Sequence, residues 1–181
     1  KAPAIFDYEK LTWMNGMYIR QLPEEDLADR IMPFLEDGLP KECLPVDRDY
    51  LLRIVPLIQE RTKLLTDVAE MSEFFFQTDL DFDPQRLIQK GMGRQTALAA
   101  LAACQTEISN AKIFEHEPLE AALRVAATGL ELSPRQFFGT LRVAATGRDA
   151  TPPLFETMEV LGRERVLDRI QQAISRLGDS D

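Results

Sequence analysis

Apolar side chains recur along this chain at three- and four-residue spacings, interrupted by proline and glycine often enough to mark helix ends. Residues 7–19 read as a helix capped by Asp7, with Leu11, Met14 and Tyr18 on one face and Trp13 as a packing anchor. Gly16 weakens the middle of that helix and suggests close approach by another backbone. Pro23 followed by Glu24-Glu25-Asp26 opens a second helix, because carboxylates favour the first turn. Its stripe is Leu27, Ile31, Phe34 and Leu35, and it ends at Asp37-Gly38. After a linker from Pro40 to Pro45, Asp47 starts a third helix whose buried face is Leu51, Ile54, Val55, Ile58 and Leu65. Pro56 falls inside it and predicts a kink or a break. Residues 64–76 continue as a helix ending in Phe74-Phe75-Phe76, three neighbours that cannot share one face, so one is expected to close the core from the loop side.

The second half follows the same rule. Residues 77–84 form an acidic loop that lacks the glycine and terminal glutamate of a calcium-binding EF-hand. Gly91-Met92-Gly93 reads as a turn, since no strand precedes it and no P-loop lysine follows. An alanine-rich helix is expected over 95–109, another over 118–128, and Ser133-Pro134 opens the helix carrying Phe137, Phe138 and Leu141. A last amphipathic helix runs through Val166, Ile170, Ile174 and Leu177, and the tail 178–181 is expected to fray. The segment Leu-Arg-Val-Ala-Ala-Thr-Gly occurs twice, at 123–129 and 141–147. A single pair is too few for a stacked repeat array, leaving chance or two helices that end alike. No alternating segment bounded by hairpin turns is present. The expectation is an all-α chain in two helical clusters joined near residues 110–118.

Composition adds limits. The 181 residues fit one or two domains, and 45% hydrophobic residues suffice for a sizeable core. Cys43 and Cys104 show no metal-ligand spacing and read as free thiols of a reducing compartment. No apolar run is long enough for a membrane helix, and no signal-peptide pattern is present. Lys1 in place of a methionine suggests a piece of something longer. The net charge of −9 argues against a generally basic nucleic-acid binder, but the charge is uneven. Residues 21–90 carry 8 Lys/Arg against 16 Asp/Glu, whereas residues 121–176 carry 8 Arg against 6 Asp/Glu. A local field can attract phosphate on an acidic molecule.

The arginine-rich region contains one unusual corner. A short apolar helix ends at Gly147, crosses Arg148-Asp149-Ala150 and restarts at Thr151-Pro152-Pro153. Thr151 is expected as the N-cap, with Pro152 at the first helical position. The restarted helix then presents free N–H groups beside Arg142 and Arg148, with Leu154 and Phe155 in its first turn and at least one of them facing outwards. Such a rim suits an RNA loop, whose unpaired bases are read by stacking and edge hydrogen bonds. An ordinary helix–turn–helix corner with solvated arginines accounts for the same residues. Enzyme signals are poor: His116, the single histidine, stands between two glutamates and suits a surface or capping role, and no nucleophile or metal cluster is evident.

Lys10-Leu11-Thr12-Trp13-Met14-Asn15-Gly16-Met17-Tyr18-Ile19-Arg20 resembles the segment that follows the catalytic core in bacterial glutamyl-tRNA synthetases. Leu141 to Glu156, continued by Met158-Glu159-Val160-Leu161-Gly162-Arg163-Glu164-Arg165-Val166, resembles the close of that family's C-terminal half. The resemblance spans nearly the whole chain, and the family's His-x-Gly-His and Lys-x-Ser-Lys catalytic signatures are absent. It implies an anticodon-binding half, all-α, with two helical-bundle subdomains forming an anticodon-binding cage. Residues 1–20 would be the end of a stem-contact region, 21–115 the first subdomain and 116–181 the second. The implied partner is the anticodon loop of glutamate tRNA, bound by a cytoplasmic monomer without membrane contact. No cofactor is expected in this part; ATP and Mg belong to the parent enzyme's catalytic domain, so the chain alone would not aminoacylate. Carried over by position, Arg142 would reach an anticodon base or its phosphate, with Arg148 on the same rim. Thr151, Pro152, Leu154 and Phe155 would form the surface on which anticodon bases pack. Leu57-Ile58-Gln59-Glu60-Arg61 resembles the helix supplying an arginine to the third anticodon base, which implicates Arg61 in selecting glutamate over glutamine tRNA. The competing reading is a helical protein–protein interaction module, suggested by the acidic first half. Membrane-surface binding is disfavoured, because anionic lipid repels an acidic protein.

Overall fold

The computed structural model describes residues 7–179, which contain nine α-helices, three short 3-10 turns and no strand. The chain divides between Gln77 and Thr78 into two compact units. The expected boundary at 115/116 therefore does not coincide with the observed one. The alanine-rich helix accounts for the difference, because its small side chains pack it among the helices that follow rather than those before.

The first unit holds α1 (Tyr8–Arg20), α2 (Glu24–Gly38), α3 (Arg48–Gln59) and α4 (Val68–Phe76). Asp7 and Asp47 cap α1 and α3 as expected, accepting the amides of Lys10 at 3.0 Å and Tyr50 at 2.7 Å. Helices α2, α3 and α4 pack against one another around Leu27, Ile31, Leu35, Leu51, Ile54 and Ile58. Gly38 permits the contact of α2 with α4, since a Cβ there would lie 2.6 Å from Ala69 Cβ. Pro56 does not break α3, and Pro33 lies inside α2; both are exposed, so water can satisfy the carbonyls they leave free. Leu65 stands outside α3, in a 3-10 turn. Phe74 and Phe75 are buried, while Phe76 closes α4 edge-on to Tyr50 at 5.9 Å.

Helix α1 departs from its expected packing. Trp13 is 58% exposed, and Leu11, Met14 and Tyr18 are exposed as well. The helix is attached through its other side, where Gly16 and Ile19 are buried. Asn15 Nδ2 donates to the Lys63 carbonyl at 2.5 Å, and Gln59 Nε2 donates to the carbonyls of Ile19 and Leu22 at 3.0 and 2.8 Å. The backbone close to Gly16 is that of Lys63. Periodicity identified the helix but chose the wrong one of two apolar-looking faces.

The second unit holds α5 (Arg94–Asn110), α6 (His116–Gly129), α7 (Pro134–Thr146), α8 (Leu154–Leu161) and α9 (Arg163–Asp179). Helix α7 is its centre, touching α5, α6, α8, α9 and the 3-10 turn Pro84–Leu87. Its start is a capping box: Gln136 N–H donates to Ser133 Oγ at 3.4 Å, and Gln136 Oε1 accepts from Ser133 N–H at 3.2 Å. Residues Val143 to Thr146 are all buried. Gly178, expected in a frayed tail, is helical, and Arg94 donates to the carbonyls of Leu177 and Gly178 at 2.7 Å each. Ser180 and Asp181 lie outside the described residues.

Candidate nucleic-acid interface

The corner between α7 and α8 is built around one threonine. Thr146 Oγ1 donates to the Arg142 carbonyl at 2.7 Å and accepts the Arg148 amide at 3.2 Å. One buried hydroxyl thus links the backbones of both corner arginines. Gly147 follows in the left-handed region, with φ 69°, and its amide donates to the Val143 carbonyl at 2.7 Å. That conformation turns the chain out of α7 and suits glycine because it has no Cβ. The outer side of the turn is backed by Leu80 and Phe82, which an added Cβ on Gly147 would touch at ordinary contact distance. Arg176 holds this backing in place by donating to the Leu80 carbonyl and lying 5.5 Å from the centre of the Phe82 ring. Asp149 pairs with Arg86 at 2.8 Å, tying the loop to the 3-10 turn.

The restart of the chain differs from the expectation. Helix α8 begins at Leu154, Pro153 stands in the cap position, and no side chain caps this end. Thr151 is not the N-cap; its hydroxyl donates to the Pro152 carbonyl at 2.8 Å. The second proline is the reason. A residue that precedes proline is pushed out of the helical region, so Pro152 cannot be the first helical residue while Pro153 follows it.

Nor do the apolar residues of the corner face outwards. Leu154 is 4% and Phe155 8% exposed, and Thr151 and Pro152 are buried too. Phe155 meets the Phe138 ring edge-on at 5.2 Å, and the Arg124 guanidinium lies 5.5 Å from the centre of the Phe138 ring. The first turn of α8 is short and must anchor the loop, so its large side chains enter the core. Burying each contributes roughly 1.5–3 kcal/mol, which outweighs an exposed position. What the corner presents to its surroundings is half-buried Arg142, Gly147 and Arg148 with exposed Asp149, Ala150 and Pro153.

Arg61 lies in the first unit. It is exposed, two residues past the end of α3, and its amide closes a turn to the Ile58 carbonyl at 3.0 Å. His116 begins α6, and Glu159 of α8 accepts both its amide at 2.9 Å and its ring Nδ1 at 2.8 Å. That carboxylate raises the imidazole pKa above its ordinary 6.5, chiefly through the hydrogen bond, and Glu156 and Glu117 add to the shift. Burial pushes the Cys104 thiol far above its ordinary range; Cys104 and Cys43 are both free. Among the described residues no group of His, Cys, Asp and Glu is arranged to hold a metal ion, and no helix is long and apolar enough to cross a membrane.

An all-helical protein with an arginine-bearing helix–turn–helix corner of this kind has known relatives. The chain belongs to the anticodon-binding domain family, whose model matches residues 26–174 and so includes Arg61 and the whole corner. It is 48% identical over 180 residues to a glutamate–tRNA ligase of Dehalococcoides mccartyi strain BAV1, covering 99% of this chain and 37% of that protein. The glutamate–tRNA ligase of Roseiflexus castenholzii is 46% identical over 178 residues, covering 97% of this chain and 35% of its own length. The chain therefore spans little more than a third of these curated relatives. The fold is that of part of a crystal structure of a glutamate tRNA ligase from Elizabethkingia meningosepticum in complex with its amino acid. The two superpose with a TM-score of 0.79 at 24% identity, over 97% of this chain and 34% of the other.

Proposed function

We propose that this chain reads the anticodon loop of glutamate tRNA as part of a glutamate–tRNA ligase, with the chemistry of aminoacylation carried elsewhere in that enzyme. The observation that carries this reading is the family match across residues 26–174, together with the near-complete coverage of the chain by glutamate–tRNA ligases at 46–48% identity. ATP and Mg then belong to the rest of the enzyme, and the chain alone is inactive in aminoacylation. The proposal includes a cytoplasmic monomer.

In this reading Arg142 and Arg148 supply the contacts at the corner, because a planar guanidinium suits both base edges and phosphate oxygens. Thr151, Pro152, Leu154 and Phe155 act from beneath, fixing the loop path rather than offering an open stacking face. Arg61 is the contact on the first unit, directed at the third anticodon base.

Binding of glutamate tRNA by the wild-type chain and by Arg142→Ala, measured against salt concentration, tests the proposal. One lost phosphate contact lowers the slope of log affinity against log salt by about 0.7–1, and a lost base contact costs about 1–3 kcal/mol. Unchanged affinity and slope in Arg142→Ala would remove the corner from the binding surface.

A further inference from the structure

Helix α9 carries a permanent cation where its pattern calls for an apolar residue. Arg169 lies three positions after Val166 and four before Ala173, both buried, and it is itself only 2% exposed. Its Nη1 donates to the Ala145 carbonyl at 2.6 Å, in the last turn of α7. The last carbonyls of a helix lack intrahelical partners and hold the negative end of its dipole, which favours a cation there. The next three residues are Thr146, Gly147 and Arg148, which make the turn. The Ala145 carbonyl therefore stands immediately before the hydroxyl that links the corner arginines.

We propose that Arg169 is a positioning residue for tRNA recognition: it fixes the last turn of α7 and thereby the backbone that carries Arg142 and Arg148. The inference rests on the anticodon reading of this corner but adds a residue that does not touch RNA. A buried guanidinium without acceptors is strongly unfavourable, so the Ala145 carbonyl is one of the contacts that keep it in place.

The test compares Arg169→Met, Arg169→Lys and a control core variant, Leu119→Ala in α6, with the thermal midpoint of each measured. One readout is hydrogen exchange at the amides of Gly147 and Arg148, which donate within the turn. The other is the ratio of affinities for glutamate tRNA and the same tRNA with a substituted anticodon. In Arg169→Met both amides exchange at least about tenfold faster, and the affinity ratio falls about tenfold. The salt slope stays that of the wild type, because no phosphate contact is removed. Arg169→Lys, which keeps the charge and a donor, restores both readouts to within about threefold. Leu119→Ala leaves them near wild type. If Arg169→Met does not fold, Arg169→Gln takes its place with the same expected losses. Unchanged protection in the Met variant, or an equal loss in Leu119→Ala, overturns the positioning role. A wild-type chain that binds both tRNAs equally removes the anticodon reading instead, and the exchange data still decide the role of Arg169.

Discussion

Thr146 and Gly147 divide the work of the corner between a side chain and a backbone. The threonine hydroxyl engages the carbonyl of Arg142 and the amide of Arg148, and the glycine supplies the left-handed turn between them. A Cβ at Gly147 would meet no severe contact, so its cost is conformational. Gly147→Ala is expected to lower stability by about 1–2 kcal/mol through the left-handed backbone alone. Denaturant unfolding measures this, and a loss below a few tenths of a kcal/mol would contradict it. Thr146→Val is nearly the same shape but removes both hydrogen bonds, each contributing about 0.5–1.5 kcal/mol. It should weaken tRNA binding while Arg142 and Arg148 remain, as read by the same affinity measurement. Arg169 was legible in principle: a charged residue inside the apolar stripe of α9 must find a partner or face water. The stripe of Val166, Ile170, Ile174 and Leu177 does not by itself announce it.

Elements of identical sequence take different roles here because their neighbours differ. The two Leu-Arg-Val-Ala-Ala-Thr-Gly copies both end helices, and in both the threonine donates to the arginine carbonyl four residues back. In α6 the copy buries only Leu123 and Ala127, with Arg124 paired to Glu120 and Val125 exposed. In α7 the equivalent Val143 is buried at the centre of the unit. The two helices nonetheless end differently: α6 includes Gly129 and is capped at Leu130, whereas α7 stops at Thr146 with Gly147 in the left-handed region, so packing decided which copy became a corner. The same limit explains the Thr-Pro-Pro step, where one local rule favoured Pro152 as the first helical residue and another excluded it. At the start of α6, Glu159 arrives from α8, a cap that no local motif announces. Its pair with His116 raises the imidazole pKa, so the stabilisation is fully present below about pH 6.5 and is lost as pH rises through the raised value. The difference in thermal midpoint between wild type and His116→Gln should therefore shrink between about pH 5.5 and pH 8.5. A difference that grows over that range would contradict the assignment.

At the scale of the molecule, the all-helical class followed from periodicity and punctuation, because caps such as Asp7, Asp47 and Ser133 act locally. The partition into units and the covered face of α1 did not follow, because both depend on contacts distant in sequence. The site was legible to different depths. Arg61 is exposed on the first unit and Arg142 and Arg148 are half-buried at the corner of the second, whereas Leu154 and Phe155 are core residues of that corner. On the proposed anticodon reading, the acidic composition of the first unit would discourage non-specific RNA binding. The central claim is anticodon recognition, and competition binding of the 181-residue chain to glutamate tRNA and to the same tRNA with its anticodon bases substituted tests it most directly. The account predicts about tenfold or more weaker binding of the substituted tRNA, as expected when one or more base contacts are lost; equal affinity for the two would contradict it.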